Sequence, residues 1–181
     1  MPAHISRKSA GTGSRIVDAA LERQLAAGAV LVLDSSAVLA YLDGGEQISG
    51  AATHVIDGLV RSGRNQALIS AVTVTEALVR PFRLAAPTQA SEDEAPDAIT
   101  TVEDFLRNFP ILAIVPVDYA VAREAARIRA LTGLRTADAL VMATARVSGA
   151  GVLVGNDERW RSAIDKLGRP FALCLLSDYA V

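Results

Sequence analysis

The chain has 181 residues, enough for one domain with a sizeable core, and a formal net charge of −2, which excludes a global basic field of the kind that attracts nucleic acid. Hydrophobic residues make up 51% but aromatics only 4%, so Ala, Val and Leu must build the core, which suits helices packed on a parallel sheet. The single cysteine, Cys174, excludes an internal disulfide framework or a Cys/His zinc cluster, no apolar run is long enough to span a bilayer, and residues 1–14 lack a secretory apolar core, so a soluble cytoplasmic protein without membrane contact is expected.

Residues 1–14, with His4, Arg7, Lys8 and several Gly and Ser, have the composition of a disordered tail. Ile16, Val17, Ala20, Leu21 and Leu25 then predict a short helix between Ser14 and Ala27, ended by Gly28. Residues 1–29 are therefore an N-terminal extension, partly disordered and partly helical, ahead of a domain over 30–181. Val30–Leu33 is the first strand, a β-branched apolar run closed by Asp34. Ser35 and Ser36 are expected to cap a helix over Ser36–Leu42, which Asp43-Gly44-Gly45 ends. Ile48, Ala52, Val55, Ile56, Leu59 and Val60 form a helical stripe that Gly63 stops.

Ala67–Ser70 is the second strand, and Thr73 or Thr75 is expected to cap the helix that carries Glu76. Residues 86–100, acidic and bearing prolines, read as a flexible surface loop. Three adjacent acids there, Glu92, Asp93 and Glu94, have no rigid frame that would gather them on a cation. A short helix follows over Val102–Asn108, then a third strand over Ile111–Val115. Asp118 caps a helix that Gly133 closes, and Thr136 is expected to cap the next, running through Asp138 to about Val147. Val152–Val154 is the fourth strand, Glu158–Lys166 a short helix, and Phe171–Leu176 the last strand. Strands alternating with helices predict an α/β fold with a mostly parallel sheet and helices on both faces.

Four acids hold one kind of position in this pattern. Asp34 and Asp157 follow strands, while Glu76 and Asp138 are expected in first turns of helices. Strand ends and helix starts of a parallel sheet gather on one edge, where such sheets place their ligands. Each acid has an ordinary alternative as a cap or as a partner of the helix dipole. Four carboxylates on one edge repel one another, and a divalent cation relieves this; an all-oxygen donor set favours Mg²⁺ or Mn²⁺ over zinc. The main use of such an ion is phosphate chemistry with metal-activated water. No Walker-type glycine loop and no Gly-x-Ser-x-Gly elbow is present. The two histidines, His4 and His54, fall on the tail and on a predicted helix, which speaks against a histidine base. A dehalogenase-type phosphatase also opens with a strand and an Asp, but it needs a second Asp where Ser36 stands.

Four pieces, in order, resemble the PIN-domain ribonucleases, most closely the VapC toxins of toxin–antitoxin pairs. They are Val32-Leu33-Asp34-Ser35-Ser36-Ala37, Ser70 to Glu76, Arg135-Thr136-Ala137-Asp138-Ala139-Leu140, and Leu153-Val154-Gly155-Asn156-Asp157-Glu158-Arg159-Trp160. The resemblance runs from residue 30 to 176. It implies a PIN-like three-layer α/β/α sandwich and an Mg²⁺- or Mn²⁺-dependent endoribonuclease that leaves a 3′-hydroxyl and a 5′-phosphate. It also implies a cognate antitoxin protein as partner and a homodimer. On this resemblance Asp34, Asp138 and Asp157 hold metal, and Glu76 holds metal or orients the attacking water. Ser36 and Asn156 support the site, and Arg80, Arg135 and Arg159 are candidates for RNA contact. The family often has Thr where this chain has Gly155, which opens the alternative of a catalytically degenerate PIN module that binds protein or RNA.

Overall fold

In the computed structural model, residues 12–45, 47–85 and 95–180 are described, with side chains from Asp18 and from Ala98 onward in the helices that open the first and last of these segments. Five strands form one sheet: β1 Val30–Leu33, β2 Gln66–Ser70, β3 Leu112–Val115, β4 Val152–Gly155 and β5 Ala172–Leu175. Their order is β3-β2-β1-β4-β5, and every pairing is parallel. The α-helices among the described residues are α1 Thr12–Gln24, α2 Ser35–Asp43, α3 Ser49–Thr53, α4 Ala71–Leu84, α5 Ala95–Asn108, α6 Tyr119–Thr132, α7 Thr136–Val147 and α8 Arg159–Lys166. The expected α/β/α sandwich is the observed architecture.

Alternation along the central strands builds the layers. Leu31 and Leu33 of β1 and Val152 and Val154 of β4 point into the core shared with α1 to α5. Val32 and Leu153, one residue out of phase, point into the core shared with α6, α7 and α8. Both faces of β1 and β4 are therefore dry, which is why these strands read as unbroken apolar runs. From β1 the chain builds outward through β2 to β3, then crosses back to β4 on the other side of β1. The order reverses between β1 and β4, so a crevice opens beyond their carboxyl ends.

Several local expectations change. The first helix after β1 is capped by Asp34, not by the serines: its backbone is extended, and Oδ2 accepts from the Ser36 N–H at 3.3 Å and the Ser36 hydroxyl at 2.8 Å. An Asp at Ncap reaches N2 directly, so the serines become the first helical residues. Ser70, at the end of β2, caps α4 by accepting from the Val72 N–H, displacing Thr73 and Thr75 from that role. Glu76 therefore lies in the second turn of α4 and not the first. Helix α7 begins at Thr136, with Arg135 at the cap position and no side-chain cap.

Residues 95–100, expected within a loop, are the opening of α5. Pro96 stands in its first turn, where a missing N–H costs nothing. Val102, Phe105 and Leu106, together with Phe109 just past its end, bury the apolar face. Glu92, Asp93 and Glu94 lie outside the described residues. The stripe from Ile48 to Val60 is helical, but its second half, His54–Val60, is a π-helix in which the Arg61 N–H reaches back to the Ile56 carbonyl. Strand β3 begins one residue late, because Ile111 has a left-handed backbone, φ 62°.

Helix α1 is more than an appendage. Leu21 and Leu25 are fully buried in the same core as β1. The buried Asn65 amide donates to the Ala26 and Ala29 carbonyls, and Arg64 pairs with Glu22 at 2.8 Å. The tail expected over residues 1–14 falls mostly outside the described residues. No described helix is long and apolar enough to cross a membrane.

Candidate active site

The crevice at the switch point is a pocket of about 340 Å³ whose walls include Asp34, Glu76, Asp138 and Asp157. Four carboxylates from four separate places in the sequence thus meet in one cavity. Asp34 arrives on the end of β1, where its N–H donates to the Val154 carbonyl and prolongs the β1–β4 ladder. Asp157 arrives two residues beyond β4, Asp138 in the first turn of α7, and Glu76 from the second turn of α4. Ser35, Ser36, Asn156, Glu158 and Trp160 also line it.

The charges are unevenly settled. Asp34 is only 8% exposed, and burial pushes its carboxyl above the usual carboxylate range against the pull of the Ser36 hydrogen bonds; Glu76 adds a smaller repulsion. Asp138 is also pushed up, first by burial and next by the negative charge of Asp157. Asp157 moves the other way, because Arg159 clamps it: the guanidinium makes three hydrogen bonds to the two carboxylate oxygens, and the Arg159 backbone N–H adds a fourth. The same guanidinium stands 3.8 Å from Asp138 Oδ2, beyond hydrogen-bond reach. Asp138 Oδ2 is buried and has no hydrogen-bond partner among the described residues.

This donor set suits a hard divalent cation. It is all oxygen, and two of its members are penalised for their charge. Among the described residues no three acidic, histidine or cysteine side chains are already gathered into a coordination group. Arg159 supplies positive charge to Asp157 in the structure as it stands.

The supporting residues divide. Ser36 holds Asp34 through its hydroxyl. Asn156 lines the pocket, but its Oδ1 accepts from the Ser177 N–H and so ties β4 to the segment after β5; that oxygen is not available to replace a threonine hydroxyl. Of the expected RNA-contacting cations, Arg80 pairs with Asp43 at 2.6 Å and Arg159 with Asp157. Arg135 is exposed and acts on both Asp138 and Asp157 through space. Cys174 is buried and its thiol is pushed up to about 12, so it is no nucleophile. A larger open cleft of about 620 Å³ lies along α8 and β5, but its charged groups pair with one another or with near neighbours, Arg169 with Asp165 and Arg161 with Asp178.

Trp160 is a pocket residue that the sequence placed in the fourth motif without assigning it a role. Its ring is 1% exposed and passes close over Gly155, where an added Cβ would stand 2.9 Å from Trp160 Cζ3 and 3.2 Å from Asp34 Cβ. The signal was present as a lone tryptophan three residues after Asp157 with glycine at 155. Only the fold shows that the two side-chain positions compete for one space.

The family model for the PIN domain matches residues 31–166. Among solved structures, the chain is similar to VapBC2 from Rickettsia felis bound to a DNA fragment from their promoter, with 12% identity and a TM-score of 0.60 over 81% of this chain and 98% of that one. It is similar to FitAcB from Neisseria gonorrhoeae, at 19% identity and TM-score 0.56 over 81% and 98%. It is also similar to VapC20 of Mycobacterium tuberculosis, a sarcin–ricin loop cleaving toxin, at 15% identity and TM-score 0.53 over 73% and 94%. At these identities the likeness to solved structures is one of fold. No curated protein sequence matches the chain.

Proposed function

Because the chain belongs to the PIN-domain family, we propose that it is a divalent-metal-dependent endoribonuclease, acting as the toxin of a toxin–antitoxin pair in the cytoplasm. The observation that carries this reading is the meeting of Asp34, Glu76, Asp138 and Asp157 in one pocket at the carboxyl edge of a parallel sheet. Asp34, Asp138 and Asp157 hold the ion, Mg²⁺ or Mn²⁺. When bound, such an ion stabilises charge on the scissile phosphate and lowers the pKa of water. Glu76 orients the attacking water and accepts its proton. The Ser36 hydroxyl donates to Asp34 Oδ2 and so restrains that carboxylate. Arg135, exposed beside Asp138, attracts the RNA backbone. Cleavage on this reading leaves a 3′-hydroxyl and a 5′-phosphate.

Two surfaces support the expected partners. An apolar groove of about 230 Å³ between α2, α4 and α5, lined by Leu39, Leu42, Ala77, Pro81, Leu84 and Val102, suits a short antitoxin helix. Along the sheet edge, Ile111, Ile114, Val117, Tyr119 and Leu131 are exposed on and around β3 and α6, the apolar surface that a second copy of the chain would cover in a homodimer.

The reading is tested by incubating the purified protein with structured RNAs in Mn²⁺ or Mg²⁺, with and without a chelator, and mapping the new ends. Cleavage that the chelator stops and Asp138→Asn removes is the expected result. The Arg159 clamp on Asp157 favours a second reading, a degenerate module that binds RNA without cutting it. Retained RNA binding with no cleavage in any divalent ion would select that reading.

A further inference from the structure

Two buried polar groups in the pocket lack partners among the described residues, and they are complementary. Trp160 Nε1 carries a proton and accepts nothing; Asp138 Oδ2 can only accept while ionised. Each left alone is unfavourable. Both residues line the same cavity. Neither atom makes a hydrogen bond among the described residues, and one bond between them would satisfy both. Arg159, the other nearby donor, is committed to Asp157 and stays 3.8 Å from Asp138 Oδ2. The ring reaches this place only because residue 155 has no side chain: a Cβ there would sit 2.9 Å from Cζ3, closer than carbon atoms approach.

We propose that Trp160 is a positioning residue whose indole N–H donates to Asp138 Oδ2, fixing that carboxylate for its ligand, and that Gly155 is the vacancy that admits the ring. The donor takes one oxygen and turns the other, Oδ1, toward the pocket. Outer-shell donors of this kind orient ligands, and their loss costs about 10–100-fold in metal affinity. The inference rests on the metal-binding reading for its purpose, but the contact itself does not.

The chain has one tryptophan, so ¹⁵N-labelled protein gives a single indole N–H resonance, readable without metal, RNA or activity. The expected result is a downfield, slowly exchanging resonance that moves upfield and exchanges faster in Asp138→Asn. Trp160→Phe, which keeps most of the ring and loses the donor, should bind Mn²⁺ about 10–100-fold more weakly by calorimetry while its far-ultraviolet dichroism is unchanged. In an Asp138→Asn background the same substitution should have no further effect. An indole resonance identical in wild type and Asp138→Asn would overturn the proposal. So would Mn²⁺ binding by Trp160→Phe at wild-type affinity. If the wild type itself binds no Mn²⁺, the metal-binding reading fails, and the indole resonance still decides whether the Trp160–Asp138 bond exists.

Discussion

Replacing Asp34 by Asn should abolish cleavage and, in metal-free buffer at neutral pH, make the protein more stable. The two effects share one cause. Asp34 is 8% exposed and carries a charge that burial disfavours more than its two Ser36 hydrogen bonds favour it. An amide keeps an oxygen for the Ser36 N–H and hydroxyl. Weakening those bonds from charge-assisted to neutral costs roughly 0.5–2 kcal/mol each, and the backbone one, at 3.3 Å, is already long. Removing a buried charge returns several kcal/mol of desolvation, along with the repulsion from Glu76. The net is a stabilisation of about 1 kcal/mol, or a Tm about 2–4 °C higher for a chain of this size.

The pH dependence has a defined sign. A carboxyl whose folded pKa is raised contributes stability below its unfolded value, about 3.9, and loses it as pH rises through the folded value. The advantage of the variant is therefore absent in acid and grows toward neutrality. Saturating Mn²⁺ should reverse the order, because an ion at about 100 times its Kd adds about 2.7 kcal/mol to the wild type alone. Loss of a ligand worth at least ~4 kcal/mol in the transition state should lower the cleavage rate by about 1,000-fold or more. Differential scanning at several pH values with and without Mn²⁺, beside an RNA cleavage assay, reads all of this. A variant less stable than wild type in metal-free buffer at pH 7 would mean that Asp34 serves the fold as a cap, and the argument from its burial would be wrong.

Gly155→Thr should not restore a missing hydroxyl but overpack the pocket against Trp160, lowering stability by about 1–3 kcal/mol in thermal or urea unfolding and moving the tryptophan emission. Arg159→Gln should free Asp157, so that Mn²⁺ affinity rises about tenfold by calorimetry while the metal-free protein becomes less stable. Glu124→Gln, remote from the pocket, removes the carboxylate that joins Arg127 of α6 to Arg146 of α7; its partners are exposed, so the cost at pH 7 is at most about 1 kcal/mol. The Glu124 carboxyl is held low, chiefly by Arg127, so its contribution is present above the unfolded value near 4.3 and fades as pH falls through the folded one. Denaturant melts of that variant and wild type should converge in acid.

The strands were legible because both faces of β1 and β4 are dry, which leaves unbroken apolar runs with an acid at the end. Helix starts were less so, since Asp, Ser and Thr all cap and the sequence offered several at each junction. Asp34 and Ser70 took the caps because they end strands, where the backbone is already extended. The opening of α5 was hidden by Pro96 and by the acidic sequence around it, although Val102, Phe105 and Leu106 carried the period. The four carboxylates were found because strand ends and helix starts share an edge, a rule of topology. The ring of Trp160 over Gly155 was not found, because packing between residues five apart across a strand end and a helix start leaves no periodic trace.

The cations of the site were the least legible part, and the reason bears on how the pocket stays folded. Sequence proximity put Arg80, Arg135 and Arg159 near acids and suggested RNA contact, but a guanidinium beside a carboxylate pairs with it first. Arg80 is spent on Asp43, and Arg159 on Asp157. Arg159 thereby does for the metal-free chain part of what a divalent ion would do, neutralising the acid nearest to it and softening the field on Asp138. Asp34 and Asp138, which Arg159 does not hold by hydrogen bonds, keep the raised pKa values. An entering cation therefore meets two acids that gain from its charge and one that must give up its arginine. Release of Arg159 toward solvent, where it is already 54% exposed, would place a positive group at the rim just when a phosphate needs one. On the proposed reading, metal binding and RNA binding would be coupled through one side chain, and the salt dependence of RNA affinity should steepen when Mn²⁺ is added to a cleavage-dead Glu76→Gln protein.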